Sequence, residues 1–199
     1  MSDRERRKLR SHRRIVEVAA EDIRRHGLSA CGVKTTMRRA GLTHGGFYNH
    51  FPDKTAMLEE AFRRACRYRD TWLADPEDET ADRLGLVLAR YLSEIHRERP
   101  ADGCPYPTLA GEIAREGRVI REAFEAELRQ TARRLSELLQ LQDDPAERRA
   151  LGLMSLCVGA LALARAVPDG HFAEEILAAA QELAEAGFAV GQPAAQRAG

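Results

Sequence analysis

Within the stretch Leu42-Thr43-His44-Gly45-Gly46-Phe47-Tyr48-Asn49-His50-Phe51-Pro52-Asp53-Lys54, the side chains of Thr43, His44, Tyr48, Asn49 and His50 carry hydrogen-bond donors and acceptors, and Lys54 carries a charge that can meet a phosphate. That set suits recognition of a polar, anionic surface. Two adjacent glycines interrupt it. Each costs a helix interior about 1 kcal/mol relative to alanine. Their bare backbone makes sense where another molecule must come close. Phe47 and Phe51, four apart, form the opposite, core-facing side. His44 and His50 are six apart and lie about 120° from each other around a helix, so the pair does not frame a metal site. No metal and no cofactor is expected.

The elements that must position these groups read as a helix-turn-helix. A short helix is expected over Val33–Arg39, a turn over Ala40-Gly41-Leu42-Thr43, and a second helix over His44–His50. Gly41 suits a left-handed turn residue. Leu42 is expected to drop into a core with Ile15, Ala19 and Met37, and Thr43 to cap the second helix. The second helix of such a unit lies in the DNA major groove, its N-terminal residues toward base edges. Its free N–H groups and positive dipole end suit phosphate.

Charge supports an anionic partner. The chain of 199 residues has 31 Lys+Arg and 31 Asp+Glu, a net charge of zero. Residues 1–70 hold 17 basic and 9 acidic residues, a net of +8, which leaves −8 for the remainder. A basic module joined to an acidic one is the expectation. The start, MSDRERRKLRSHRR, has no apolar signal segment. The apolar run Ala150–Ala164 falls short of the roughly 20 residues that span a bilayer. Cys31, Cys66, Cys104 and Cys157 are widely spaced without a CxxC. They read as reduced thiols of a cytoplasmic protein.

Helical periodicity runs almost throughout and sustained alternation is absent, which predicts an all-α fold. Helices are expected from about Lys8 to Arg25, stopped by His26-Gly27, and from Pro52-Asp53 toward Trp72. After a polar break at Asp75–Asp78, a fifth carries Leu84, Leu88, Tyr91, Leu92 and Ile95. Pro100–Gly103 ends it. A short segment from Cys104 to Arg115 precedes a long helix from about Arg118 to Gln140. Asp143-Asp144-Pro145 turns the chain into helices from about Ala146 to Val167 and Phe172 to Phe188.

The segment RRAGLTHGGFYNHFPDKTAML resembles the DNA-binding signature of the TetR family of transcriptional regulators. The matching positions are Ala40, Gly41, Leu42, Thr43, Gly46, Phe47, Tyr48, His50, Phe51 and Lys54. The resemblance implies about nine helices. An N-terminal three-helix helix-turn-helix domain over 1–70 would precede a helical ligand-binding and dimerisation domain over 71–190 and a disordered tail over 191–199. It implies a homodimer through the last two helices that binds double-stranded DNA at a palindromic operator, more often a repressor than an activator, and is released by a small-molecule effector. The second helix departs from the family. Cys31-Gly32 stands where Thr-Thr or Thr-Ser is usual, and Thr36-Met37 where Ile-Ala is usual. Lys34 or Thr35 would then supply its phosphate contact.

Candidate cavity residues are Leu88, Tyr91, Cys104, Tyr106, Leu109, Phe124, Met154, Cys157 and Val158, with plain core packing the competing reading. Arg165 and His171 are further candidates for an acidic ligand. The helix at 150–164 is apolar all round, which points to a face against a second subunit. Gly159, Ala160, Leu163, Ile176, Ala180 and Leu183 are the expected contacts, and Phe172 and Phe188 complete the stripe. Pro105 at the first position of a helix would place Cys104 at its N-cap, where the dipole lowers a thiol pKa. No catalytic motif is present: no HExxH, no GxSxG, no phosphate loop. A helical partner-binding module that has lost DNA binding is the alternative reading.

Overall fold

The computed structural model describes residues 1–78, 82–141 and 146–189. Among these residues there are α-helices and two 3-10 helices and no strand, as the periodicity predicts. The described residues divide into two compact units. One joins Met1–Thr71 to Arg99–Gln130; the other joins Trp72–Glu98 to the described residues from Thr131 onward. The expected tail at 191–199 and the expected turn at Asp143-Asp144-Pro145 lie outside the described residues.

In the first unit, α1 (Asp3–His26) starts five residues before the expected Lys8. A capping box causes this: the Ser2 hydroxyl accepts from Glu5 N–H, and the Glu5 carboxylate accepts from Ser2 N–H. The helix ends where expected, at Gly27, whose φ of +85° suits a residue without a Cβ. Ile15, Val16, Ala19, Ala20 and Ile23 form its buried face. Next come α2 (Val33–Arg39), a 3-10 helix (His44–Asn49) and α3 (Lys54–Cys66). Asp53 caps α3 by accepting from Ala56 N–H at 2.8 Å. The helix expected to run on toward Trp72 stops at Cys66, and a four-residue α4 (Arg69–Trp72) follows. A 3-10 turn (Pro100–Asp102), α7 (Tyr106–Ile113) and the first half of α8 (Arg118–Leu138) complete this unit.

In the second unit, the expected fifth helix is two helices, α5 (Arg83–Tyr91) and α6 (Glu94–Glu98). Ser93 explains the break. Its hydroxyl accepts from His96 N–H at 3.1 Å, capping α6, while the His96 ring donates from Nδ1 to the Tyr91 carbonyl at 2.7 Å. Ile95, placed on the buried stripe by periodicity, is therefore 68% exposed. α9 (Ala146–Ala166) and α10 (Gly170–Ala189) pack on each other, and α6 packs on α9. By length and composition alone, α9 could cross a membrane. Ala150, Leu153, Met154, Cys157, Ala160, Leu161 and Ala164 are nevertheless buried in this unit.

Candidate nucleic-acid interface

α2, the turn at 40–43 and the 3-10 helix make the helix-turn-helix. Gly41 takes φ +69°, the left-handed conformation the turn needs. Leu42 N–H donates to the Met37 carbonyl at 2.9 Å, which ties the turn to α2. Leu42 itself is half-buried, while Met37 is fully buried. The second helix differs from the expected α-helix. Gly46 N–H donates to Thr43 C=O at 3.1 Å and His50 N–H to Phe47 C=O at 2.8 Å. These are the i→i+3 bonds of a 3-10 helix. The weak α propensity of Gly45-Gly46 fits that tighter winding. Thr43 occupies the N-cap, yet its side chain makes no capping bond.

Burial sorts the segment into two sides. Phe47 and Phe51 are buried, with ring centroids 5.6 Å apart. Thr43, His44, Gly45 and Asn49 are exposed, and Tyr48 is 73% exposed. A Cβ added at Gly45 would meet no atom within 4 Å; one at Gly46 would touch Thr43 Oγ1 and the Met37 methyl at ordinary contact distance. The protein's own packing therefore does not require glycine at position 45. Lys34 and Thr35 on α2, and Lys54 at the start of α3, are exposed in the same unit. His50 is half-buried rather than solvated. Its ring lies 5.9 Å from that of His12, and its Nδ1 is buried without a hydrogen-bond partner among the described residues. Burial, with His12 and Lys8 nearby, holds its pKa below the ordinary histidine value. His12 stacks on Phe51 and reaches Glu60 at 2.8 Å.

Cations on this unit fall into two groups. Arg39 pairs with Asp22 and with Glu21 at 3.1 Å, Arg64 with Glu17 at 2.6 Å, and Arg69 with Glu127 at 2.5 Å. Arg14 donates to the Ala40 carbonyl at 2.8 Å. By contrast, Arg7, Lys8, Lys34, Arg38 and Lys54 are exposed and make no ion pair or hydrogen bond with the described residues. These belong to the first turns of α1, to α2 and to the head of α3, the elements around the 3-10 helix. Arg38 and the first turns of α1 were not among the expected contacts. The Ser2-Asp3-Arg4-Glu5 capping signature marks that early helix start in the sequence.

The departures in α2 are packed rather than exposed. Cys31 is buried with its Sγ 3.6 Å from Thr36 Oγ1, and burial pushes its thiol pKa up. Gly32 stands at the N-cap without a side-chain bond.

The cavity candidates divide between the units. Cys104, Tyr106, Leu109 and Phe124 belong to the first, and Leu88, Tyr91, Met154, Cys157 and Val158 to the second. All are buried except Phe124 and Val158, which are half-buried. Phe124 lines an open groove of about 680 Å³ in the first unit with Ala110, Ile113, Ala114 and Leu128 and with the charged Arg118, Arg121, Glu122 and Glu125. The expected N-cap role of Cys104 is not met. Pro105 takes that position, with helical φ and ψ, and Cys104 lies before it, buried. Arg165 donates to the carbonyls of His96 at 2.5 Å and Arg97 at 3.2 Å, closing the end of α6. His171 is exposed and 3.5 Å from Glu175.

Among the expected subunit contacts, Ala160 and Ala180 are buried within the chain, whereas Gly159, Leu163 and Leu183 are exposed and Ile176 is half-buried. Phe172 and Leu151 are exposed beside them in sequence on the same two helices. No three potential metal ligands cluster among the described residues.

Residues 15–61 match the sequence model of the bacterial regulatory proteins of the tetR family. No curated relative matches by sequence. Several solved structures share the fold. A TetR-family transcriptional regulator from Cytophaga hutchinsonii is 18% identical and superposes with a TM-score of 0.74 over 94% of this chain and 96% of its own. A TetR transcriptional regulator from Chloroflexus aurantiacus is 25% identical, with a TM-score of 0.71 over 94% and 98%. The reduced form of NemR from E. coli is 18% identical, with a TM-score of 0.72 over 88% and 96%.

Proposed function

We propose that this chain, which belongs to the TetR family of transcriptional regulators by its N-terminal domain and its fold, is a cytoplasmic repressor that binds a palindromic operator as a homodimer and leaves it when a small molecule binds. The observation that carries the DNA reading is the 3-10 helix. It has an exposed polar edge at Thr43, His44, Tyr48 and Asn49 and a bare Gly45, and the neighbouring elements carry exposed cations that make no ion pair or hydrogen bond with the described residues. In this reading Tyr48 and Asn49 meet base edges. Lys34, Thr35, Arg38 and Lys54 meet phosphates, and Gly45-Gly46 lets the strand approach the backbone. His50 supports the helix from behind, since its ring is packed toward α1. The domain limit at 70/71 belongs to the same reading. The effector reading is supported by the groove between α7 and α8 around Phe124 and by the buried aromatic residues beside it.

A salt-titrated binding assay on the DNA upstream of the chain's own gene tests this. Affinity is expected to fall steeply and linearly on logarithmic axes as salt rises, through counterion release. It is also expected to exceed that for a scrambled fragment by about a thousandfold or more. Equal, weak affinity for both fragments would favour the partner-binding reading.

A further inference from the structure

We propose that Glu112, on α7 and outside the helix-turn-helix, is a positioning residue of the DNA-reading head. This rests on the DNA-binding reading above. The Glu112 carboxylate accepts from the N–H of Leu28 at 2.8 Å and of Ser29 at 2.7 Å. These two amides lie in the loop that joins α1 to α2. Charge-assisted bonds from two adjacent backbone donors to one carboxylate hold a loop more firmly than neutral ones.

The loop is shaped to receive it. Gly27 has φ +85°, and a Cβ there would stand 2.4 Å from Glu112 Oε2. The bare backbone at 27 is thus needed both for its conformation and for the seat of the carboxylate. One further bond fixes α7 to the same place, and another fixes the 3-10 turn that precedes it. Thr108 Oγ1 donates to the Arg24 carbonyl at 3.0 Å, and the Arg24 guanidinium donates to the Ala101 carbonyl. Thr108 and Glu112, four apart, share one face of α7.

The consequence for reading DNA follows from how α2 is held. Its C-terminal end is fixed to α1 by Arg39 to Asp22 and Glu21 and by Arg14 to the Ala40 carbonyl. Its N-terminal end has no side-chain cap, because Gly32 stands there. The loop that Glu112 grips runs directly into that end. α2 in turn carries the buried Met37 and packs on the 3-10 helix, where a Cβ on Gly46 would stand 3.8 Å from the Met37 methyl. Without Glu112 the loop keeps its Cys31 N–H bond to the Leu28 carbonyl and the Cys31–Thr36 contact but loses both charge-assisted bonds. The N-terminal end of α2 is then held less firmly than its C-terminal end, and the angle of the 3-10 helix is set less sharply.

The opposite face of α7 carries Ala110, and Ala114 follows at its C-cap; both line the groove. A molecule seated there presses on the helix whose other face holds the reading head.

The test uses the full chain. Wild type, Glu112→Ala and Glu112→Gln are titrated with the upstream DNA fragment, with the active fraction counted stoichiometrically. Amide exchange at Leu28 and Ser29 is followed in parallel. Glu112→Ala is expected to weaken Kd about ten- to a hundredfold and to release both amides to exchange. Glu112→Gln keeps one acceptor and is expected to recover part of both. A merely structural role would lower the active fraction and leave Kd unchanged, and that result overturns the proposal. Wild-type binding matched by Glu112→Ala overturns the role of Glu112 alone. Wild-type protein that does not bind the fragment overturns the DNA reading, and the role of Glu112 with it.

Discussion

His96 shows how one buried side chain sets a pH limit. It is 4% exposed, and its pKa is lowered from 6.5 to about 4 by burial, against the raising effect of its bond to the Tyr91 carbonyl and with Arg165 adding to the lowering. The folded chain keeps it neutral while the unfolded chain protonates it first as pH falls. Its contribution is complete above pH 6.5, declines from there to about pH 4 and is level below. The span corresponds to roughly 3 kcal/mol at most. Melting temperature is expected to drop between pH 7 and pH 4.5, and His96→Gln to shrink that drop, because the amide keeps a donor for Tyr91 without titrating. An unchanged drop would place the acid sensitivity in other groups. At the proposed DNA surface Tyr48 and Gly45 are exposed. Tyr48→Ala is expected to leave stability within about 0.5 kcal/mol and to weaken specific DNA binding by roughly 1–3 kcal/mol. Gly45→Leu meets open space in the free protein, so thermal stability holds while DNA affinity falls. Affinity equal to wild type would remove close backbone approach as the reason for glycine.

At the scale of elements, the tie between α4 and α8 is a buried ion pair. Arg69 and Glu127 are both buried, Arg69 also donates to Gln130 at 2.9 Å, and Arg63 stands 3.6 Å from Glu127. Glu127→Ala leaves the Arg69 charge buried without its carboxylate. The expected loss is about 3–5 kcal/mol, measurable by urea unfolding; a loss under about 1 kcal/mol would mean that water reaches Arg69 instead. Nothing in the sequence pairs these residues, which are 58 apart. Local signals, by contrast, were legible. Gly41 and Gly27 mark conformations that only their φ demands. Phe47 and Phe51 mark a buried side, and Pro52-Asp53 marks the start of the next helix. The 3-10 form of the helix at 44–49 was not legible, because the same spacing of aromatics serves both windings. Periodicity carried Ile95 into a helix that Ser93 and His96 break. Ser93 is a cap by type, yet a serine inside a periodic run gives way to the stripe. Cys104 was misplaced because Pro105 fits the N-cap as readily as the first turn. Glu112 could not be found, since its partners are backbone amides 83 and 84 residues away.

At the scale of the whole molecule, the exposed apolar residues of the last two helices carry the reading of a homodimer. Leu163 is 60% exposed and Leu183 63%, and Phe172 and Leu151 are also bare. Apolar side chains left in water on neighbouring helices are the usual mark of a surface that a partner covers. Gly159 gives the cleanest probe. It is exposed, and a Cβ there would meet nothing within 4 Å, so an arginine fits the isolated chain. Gly159 sits within α9, where glycine costs helix propensity relative to most residues. Gly159→Arg is therefore expected to fold with unchanged helicity in dilute solution. In the proposed dimer the same arginine is desolvated without a partner, which costs several kcal/mol and shifts the dimer constant by a factor on the order of a hundred or more. Sedimentation at micromolar concentration should find wild-type dimers and Gly159→Arg monomers. The variant should bind a single half-site with the wild type's intrinsic affinity and lose the gain that comes from linking two reading heads. A well-folded Gly159→Arg dimer would move the interface off this face, and Leu183→Arg would then ask the same question of α10.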